Sequence, residues 1–275
     1  MMGSEQFLRI SRLIGENKVN ELHNKRVAIV GMGAVGSLCL ESLARSGVGF
    51  FHLIDFDVVG VTHINRQILA TWDTLDKVKV EVAKQRVLSI NPNCEVEAIQ
   101  SFFSEETASS LIDDSFDLVI DAIDSLNPKC SLLSYCYLNN IRIVSSMGAA
   151  LRRDPSLVQT SDLFDTYGCP LAKQVRKRLR RRGVDKGINV VFSPEIPRYE
   201  YKSPEEEEHA DFNEQILERG RKRNVLCSLP TLTGIFALNL AHLALKELLG
   251  HQEFTGEPAF DSKEKFLSYK QLNKN

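Results

Sequence analysis

Nine residues of this 275-residue chain have types and spacing that could do chemistry together. Gly31, Gly33 and Gly36 stand at GxGxxG spacing. Asp55 follows the first of them by 24 residues, and Asp57, Asn65, Arg66, Lys79 and Asp124 come after it. Glycines so spaced let a chain turn tightly, let a phosphate approach the backbone, and let a following helix pack closely on its strand. The helix N-terminus then offers unpaired N–H groups and the positive end of its dipole to an anion. An acid at the end of the next strand can accept from a ribose hydroxyl, the role read for Asp55. A dinucleotide is the usual inference from such a turn. Here, however, two cations and several carboxylates surround it, more than a hydride-transfer cofactor requires. That set is what a nucleoside triphosphate with magnesium needs: cations to offset charge at phosphorus, and a carboxylate to hold the metal together with phosphates and water.

The elements that must position these residues can be read in order. Arg26–Val30 and Phe50–Ile54 read as buried strands around a helix whose apolar positions are Leu38, Leu40, Leu43 and Ala44. Residues 56–73 have no clean period and read as a loop bordering the site, carrying Asn65 and Arg66. A helix is expected over 75–90, with Lys79 in its first turns, and a strand over Cys94–Ile99. Ser104 reads as a helix cap. A strand over 117–120 ends at Asp121 and Asp124, Pro128 opens a helix to Leu138, and 142–145 form a further strand. This alternation argues for an α/β fold, a Rossmann-like, doubly wound, mostly parallel sheet. Strands over 157–160 and 188–192 follow. The division expected is an N-terminal helical arm (1–24), a nucleotide-binding domain that includes the basic helix 171–182 (25–197), a charged loop (198–224), and a C-terminal helix and tail (225–275).

Composition bounds the function. The chain is 43% hydrophobic and 25% charged, ordinary for a globular protein. Its net charge of −2 gives no global attraction to nucleic acid, so such binding must come from a local patch. One candidate patch is the helix over 171–182. Leu171, Val175 and Leu179 recur every four residues, while Lys173, Arg176, Lys177, Arg178, Arg180, Arg181 and Arg182 cover the other face. Six scattered cysteines lack CxxC spacing, which argues against a zinc ribbon or a redox dithiol and for a reduced, cytoplasmic setting. The N-terminus has no apolar run of signal-peptide length. Residues 229–249 form an apolar helix nearly long enough for a bilayer, but Thr231, Thr233, Asn239, His242 and Lys246 favour a core helix over a membrane span. His242 reads as a core histidine, and His63 lies in the site loop with its role open. Cys227, just before that helix, and Cys169 are the cysteines placed to be nucleophiles.

The segments GMGAVG, LIDFD, NRQ, VKVEVA and VIDAIDS resemble the adenylating superfamily that includes the ubiquitin-activating enzymes. FLRISRLIG, INRQI, RVLSINP, NPK, DPSLVQTSDL and VVFSPE narrow the resemblance to the bacterial tRNA threonylcarbamoyladenosine dehydratases. The likeness covers residues 7–195 and, weakly, 229–249. It implies ATP and Mg2+ as the groups bound. Gly33 and its neighbours would cradle phosphate, Asp55 the ribose, Asn65 and Arg66 the triphosphate, Lys79 the α- or β-phosphate, and Asp124 the magnesium. Arg12 resembles an arginine that reaches ATP from the partner subunit of a homodimer. The reaction implied is adenylation of the threonyl carboxylate on a modified adenosine of tRNA, then attack by the carbamoyl group and loss of AMP. A sulfur-transfer or other protein partner stays open.

Two departures matter. The paired CxxC motifs by which many sulfur-carrier-activating relatives hold zinc are absent, which favours the dehydratase branch. Leu151-Arg152-Arg153 follows Gly148 where a glycine-rich run is expected. The competing readings are an adenylyltransferase for a ubiquitin-like sulfur carrier, and a nicotinamide-dependent dehydrogenase or nucleotide sensor. Arg66, Lys79 and Asp124 argue against the last pair, because hydride transfer has no pyrophosphate to release.

Overall fold

The structure, a computed structural model, describes residues 3–197 and 227–250. The charged stretch 198–224 and the tail beyond Gly250 therefore lie outside the described residues. Seven strands form one sheet: β1 (Arg26–Val30), β2 (Phe50–Ile54), β3 (Glu95–Ile99), β4 (Leu118–Asp121), β5 (Ile143–Ser146), β6 (Gln159–Asp162) and β7 (Asn189–Phe192). Their order is β3-β2-β1-β4-β5-β7-β6. Every pairing is parallel except β6 on β7. β2, β4 and β5 are buried at every position, which explains their unbroken apolar runs.

Alternation along β1 feeds two cores. Val27 and Ile29 face one layer, where α4 (Ala34–Ser46), α5 (Lys79–Ile90) and α9 (Pro230–Leu249) pack. Ala28 and Val30 face the other, with α6 (Ala108–Leu111), α7 (Leu126–Leu138) and α8 (Pro170–Arg180). α9 lies against α4, burying Leu232, Phe236, Ala237, Leu240, Ala241 and Ala244. By length and apolarity it could cross a membrane, yet 56% of its most apolar window is buried inside the protein. His242 points outward from it and is exposed, so the core reading of that histidine is corrected.

The element ends differ from those expected. The arm breaks into α1 (Gly3–Gln6), α2 (Leu8–Ile14) and α3 (Glu16–His23), because Gly15 sits at φ +90° between the last two. α5 starts at Lys79, not 75, since Asp76 takes φ +61° and Val58 bridges to Val78. Thr107, not Ser104, precedes α6. α7 begins at Leu126, which puts Pro128 at its third position, where no helical N–H is lost. The α8 helix covers Pro170–Arg180.

Candidate active site

β2 and β3 lie on one side of β1, and β4 and β5 on the other. In such sheets the crevice beyond the carboxyl ends at this reversal is where ligands bind. The turn after β1 occupies it. Gly31 holds φ +100°, and a Cβ there would meet the Ala122 carbonyl at 2.9 Å. A Cβ on Gly36 would lie 1.8 Å from the Gly31 carbonyl oxygen. At Gly33, by contrast, nothing lies within 4 Å of a built Cβ, and this residue precedes α4 without any side-chain cap. Two glycines are thus required by the protein's own packing. The third borders open space at a bare helix N-terminus.

Asp55 leaves the end of β2 and supports that turn. Its Oδ2 accepts from the Met32 N–H at 2.5 Å and its Oδ1 from the Asp57 N–H at 2.8 Å. Burial pushes its carboxyl above the usual carboxylate range, against the pull of Lys79. Lys79 opens α5. Its ammonium sits 3.0 Å from Asp57 Oδ2, with the side chain only 4% exposed. The loop folds back on itself between them, with the Lys79 N–H on the Asp57 carbonyl and the Val59 N–H on the Lys77 carbonyl. A lysine and an acid 22 residues apart are so brought together.

Asn65 and Arg66 follow a short turn at Val61–His63. The Arg66 guanidinium donates to the Thr62 carbonyl at 2.9 Å and to Asn65 Oδ1 at 3.1 Å, so the two act as one polar unit. His63 is buried, and its Nδ1 accepts from the Gly60 N–H at 2.9 Å. It shapes the loop that presents Asn65 and Arg66.

Asp121 and Asp124, three residues apart, have different surroundings. Asp121 is fully buried at the end of β4. Lys129, also fully buried, donates to it at 2.5 Å, the Ser145 hydroxyl at 2.6 Å and the Ile123 N–H at 3.0 Å. Lys129 also donates to the Ser146 carbonyl at 2.9 Å. This closed network fixes the turn that packs on Gly31 and carries Asp124. Asp124 itself is exposed, accepting from Ser125 Oγ. Sequence reasoning missed Lys129; it lies eight residues past Asp121, a separation that is neither a helical nor a strand period, so no spacing signal marked the pair.

Arg12 is exposed on α2. The arm is anchored where α4 and α5 end: Phe7 stacks edge-on with His23 beside Gly47, and Gln6 donates to the Ile90 carbonyl. The 13 residues of α4 separate that anchor from Gly33 by about 20 Å.

On α8, Ala172, Val175 and Leu179 are buried against α7 while Lys173, Lys177, Arg178 and Arg180 are exposed; Arg181 and Arg182, expected inside the helix, are exposed on the turn that ends it. Arg176 is half-buried and bonded to Thr166. Arg178 donates to Asn127, and Arg182 to Ser134 at 2.8 Å and to Glu105 at 3.4 Å. Arg180 lies over the Phe164 ring. Lys173, Lys177 and Arg181 have no ion-pair partner among the described residues. Cys39, Cys94, Cys130, Cys136 and Cys169 are buried, and burial pushes the Cys94 thiol up to about 12. Cys227 is exposed ahead of α9, and its carbonyl accepts from the Leu151 N–H. Among the described residues no cluster of three His, Cys, Asp or Glu could hold a metal unaided.

The comparisons with known proteins agree with one another. The model of the ThiF family matches residues 6–275. A tRNA threonylcarbamoyladenosine dehydratase of Bacillus subtilis is 44% identical over 192 residues, 70% of this chain and 76% of that one. The Escherichia coli tRNA N6-threonylcarbamoyladenosine dehydratase TcdA has been solved in complex with ATP and with AMP. The ATP complex superposes with a TM-score of 0.79 at 33% identity, covering 92% of this chain and 97% of that one. The AMP complex gives 0.79 at 32%, with the same coverage.

Proposed function

The chain belongs to the ThiF family, and from that premise we propose that it is an ATP-dependent tRNA threonylcarbamoyladenosine dehydratase. The observation that carries this reading is the crevice between β1 and β4. An uncapped helix N-terminus borders open space there, flanked by a buried lysine and a carboxylate-rich rim. The threonyl carboxylate of the modified adenosine attacks the α-phosphorus of ATP, and pyrophosphate leaves. The carbamoyl group then attacks the activated carbonyl, and AMP departs carrying one carboxylate oxygen, which accounts for the water lost.

The residue roles are part of this proposal. Gly31 and Gly36 shape the turn, and Gly33 admits phosphate. Asp55 braces the turn and faces the ribose. Asn65 and Arg66 bind the triphosphate as a unit, and Lys79, held by Asp57, stabilises charge developing at phosphorus. Magnesium suits the exposed, hard-oxygen carboxylate of Asp124, with phosphates and water completing its shell; bound there it would neutralise charge on the phosphates. The arm that carries Arg12 is anchored at the end of α4 opposite Gly33, and we assign Arg12 to the site of a second copy in a homodimer. α8 meets tRNA phosphates. As functional units we keep the arm 1–24, the nucleotide domain 25–197, the segment 198–224 and the C-terminal part 225–275. Cytoplasmic residence follows from the substrate.

Incubation with threonylcarbamoyl-tRNA labelled with 18O in the carboxylate tests the reaction. One label should appear in each AMP, and the nucleoside should lose water by mass spectrometry under conditions that preserve the ring. Unlabelled AMP, or intact tRNA beside an adenylated carrier protein ending in Gly-Gly, would replace this reading with the carrier-activating one. ATP with magnesium should also raise the melting temperature more than NAD does, by about 2.7 kcal/mol of stabilisation at a hundredfold excess over Kd.

A further inference from the structure

Arg152 stands on the loop that leaves the carboxyl end of β5, and it is only 3% exposed. Its Nε and Nη1 are shut off from solvent and have no hydrogen-bond partner. Arginine cannot escape such a position by losing its proton. A buried charge without a partner costs several kcal/mol, so its retention points to something that offsets it outside the free protein.

The backbone around it is fixed. Leu151 holds φ +62° and donates to the Cys227 carbonyl at 2.9 Å. Glu195, the carboxylate placed against this loop, accepts from the Arg153 N–H at 2.9 Å and the Asp154 N–H at 3.0 Å, and so serves backbone rather than Arg152. β5 hydrogen-bonds to β4, with Ser145 level with Asp121. The loop therefore departs about 4.8 Å from the strand whose turn carries Asp124. Arg152 thus carries a permanent cation with two unpaired, solvent-free nitrogens on the loop that leaves the carboxyl edge of the sheet, on the side of β4 away from the glycine turn.

We propose that Arg152 receives an oxyanion of the acceptor substrate: the carboxylate that is adenylated, or a phosphate of the RNA strand that bears it. This rests on the dehydratase reading. Arg152 then selects the acceptor, while the residues around Gly33 and Lys79 bind ATP.

Arg152→Gln and Arg152→Lys test it, with KM for threonylcarbamoyl-tRNA and for ATP measured separately and melting recorded without substrate. The tRNA KM should rise roughly tenfold to hundredfold in Arg152→Gln, the scale of removing a charge-assisted hydrogen bond. It should rise less in Arg152→Lys, with the ATP KM within about twofold. The melting temperature of the free protein should stay level or rise, since an uncompensated charge has been removed. Titration with the free nucleoside distinguishes the two sources. Weaker binding by Arg152→Gln identifies the carboxylate; equal binding, with the tRNA defect retained, identifies a phosphate. An unchanged tRNA KM in both variants, or an ATP KM that rises as much, overturns the inference while the dehydratase reading stands. Wild-type protein that leaves the tRNA intact overturns both. Should Arg152→Gln not fold, Arg152→Lys carries the same comparison.

Discussion

Gly31 cannot accept even a methyl group. Its backbone lies in the left-handed region, and the Ala122 carbonyl fills the space a Cβ would take. Gly31→Ala should cost at least about 1–2 kcal/mol in urea unfolding and weaken ATP binding, because the turn must shift. Arg66 and Lys79 should separate in the same assay. Replacing Arg66, bonded to the Thr62 carbonyl and Asn65, by Ala should lower the adenylation rate by about 10²–10³ with little change in stability. Lys79→Ala should match that loss and also cost about 1–2 kcal/mol, because Asp57 and the buried Asp55 lose the cation that offsets them. Equal stabilities would place Lys79 outside this carboxylate pair. Residue types at this scale were legible in the sequence, since GxGxxG and its following acid announce themselves. Partners were not. Nothing in the spacing pairs Asp57 with Lys79 across a 22-residue loop, seals Lys129 against Asp121, or buries Arg152.

Helices α4 and α5 are tied by one acid. Glu41, nearly buried on α4, accepts from Arg86 of α5 at 2.9 and 3.0 Å and from Arg45 at 2.7 Å. Burial pushes its carboxyl up, but the two arginines outweigh it, and the net effect holds Glu41 below the ordinary glutamate value of 4.5. A lowered folded-state pKa gives stability that is present above the unfolded value and lost as pH falls through the folded one. Glu41→Gln should therefore melt lower than the parent at neutral pH, by about 1 kcal/mol given how exposed both arginines are. The difference should close as pH drops below about 4.5. A gap independent of pH would mean that packing, not charge, joins the helices. Strands were easier to read than helix ends, because burial on both faces writes a continuous apolar run. Where helices begin depended on tertiary events, such as the bridge from Val58 to Val78 that delays α5 to Lys79, and the arm's break at Gly15 does not disturb its apolar spacing.

For the molecule as a whole, a net charge of −2 leaves RNA binding to local surface. α8 sharpens which charges can serve. Lys173 and Lys177 project from it and Arg181 from the turn just after it, while Arg178 and Arg182 are engaged by Asn127, Ser134 and Glu105. Replacing the first three by Ala should reduce the log–log salt slope of tRNA binding by about 0.7–0.9 for each phosphate no longer neutralised, with ATP binding unchanged. A slope that does not move would return α8 to a solvated face. The sheet order carries a consequence for synthesis. β1 reaches its neighbour β4 only after some ninety residues, and the apolar face of α4 waits for α9, which starts at Pro230. At roughly 5–20 residues per second, that face stays bare for on the order of 10–40 s on the ribosome. The Gly31 turn, which leans on Ala122, cannot grip nucleotide until β4 has emerged. A nascent chain should thus depend on holding chaperones before it can be rescued by its own ATP.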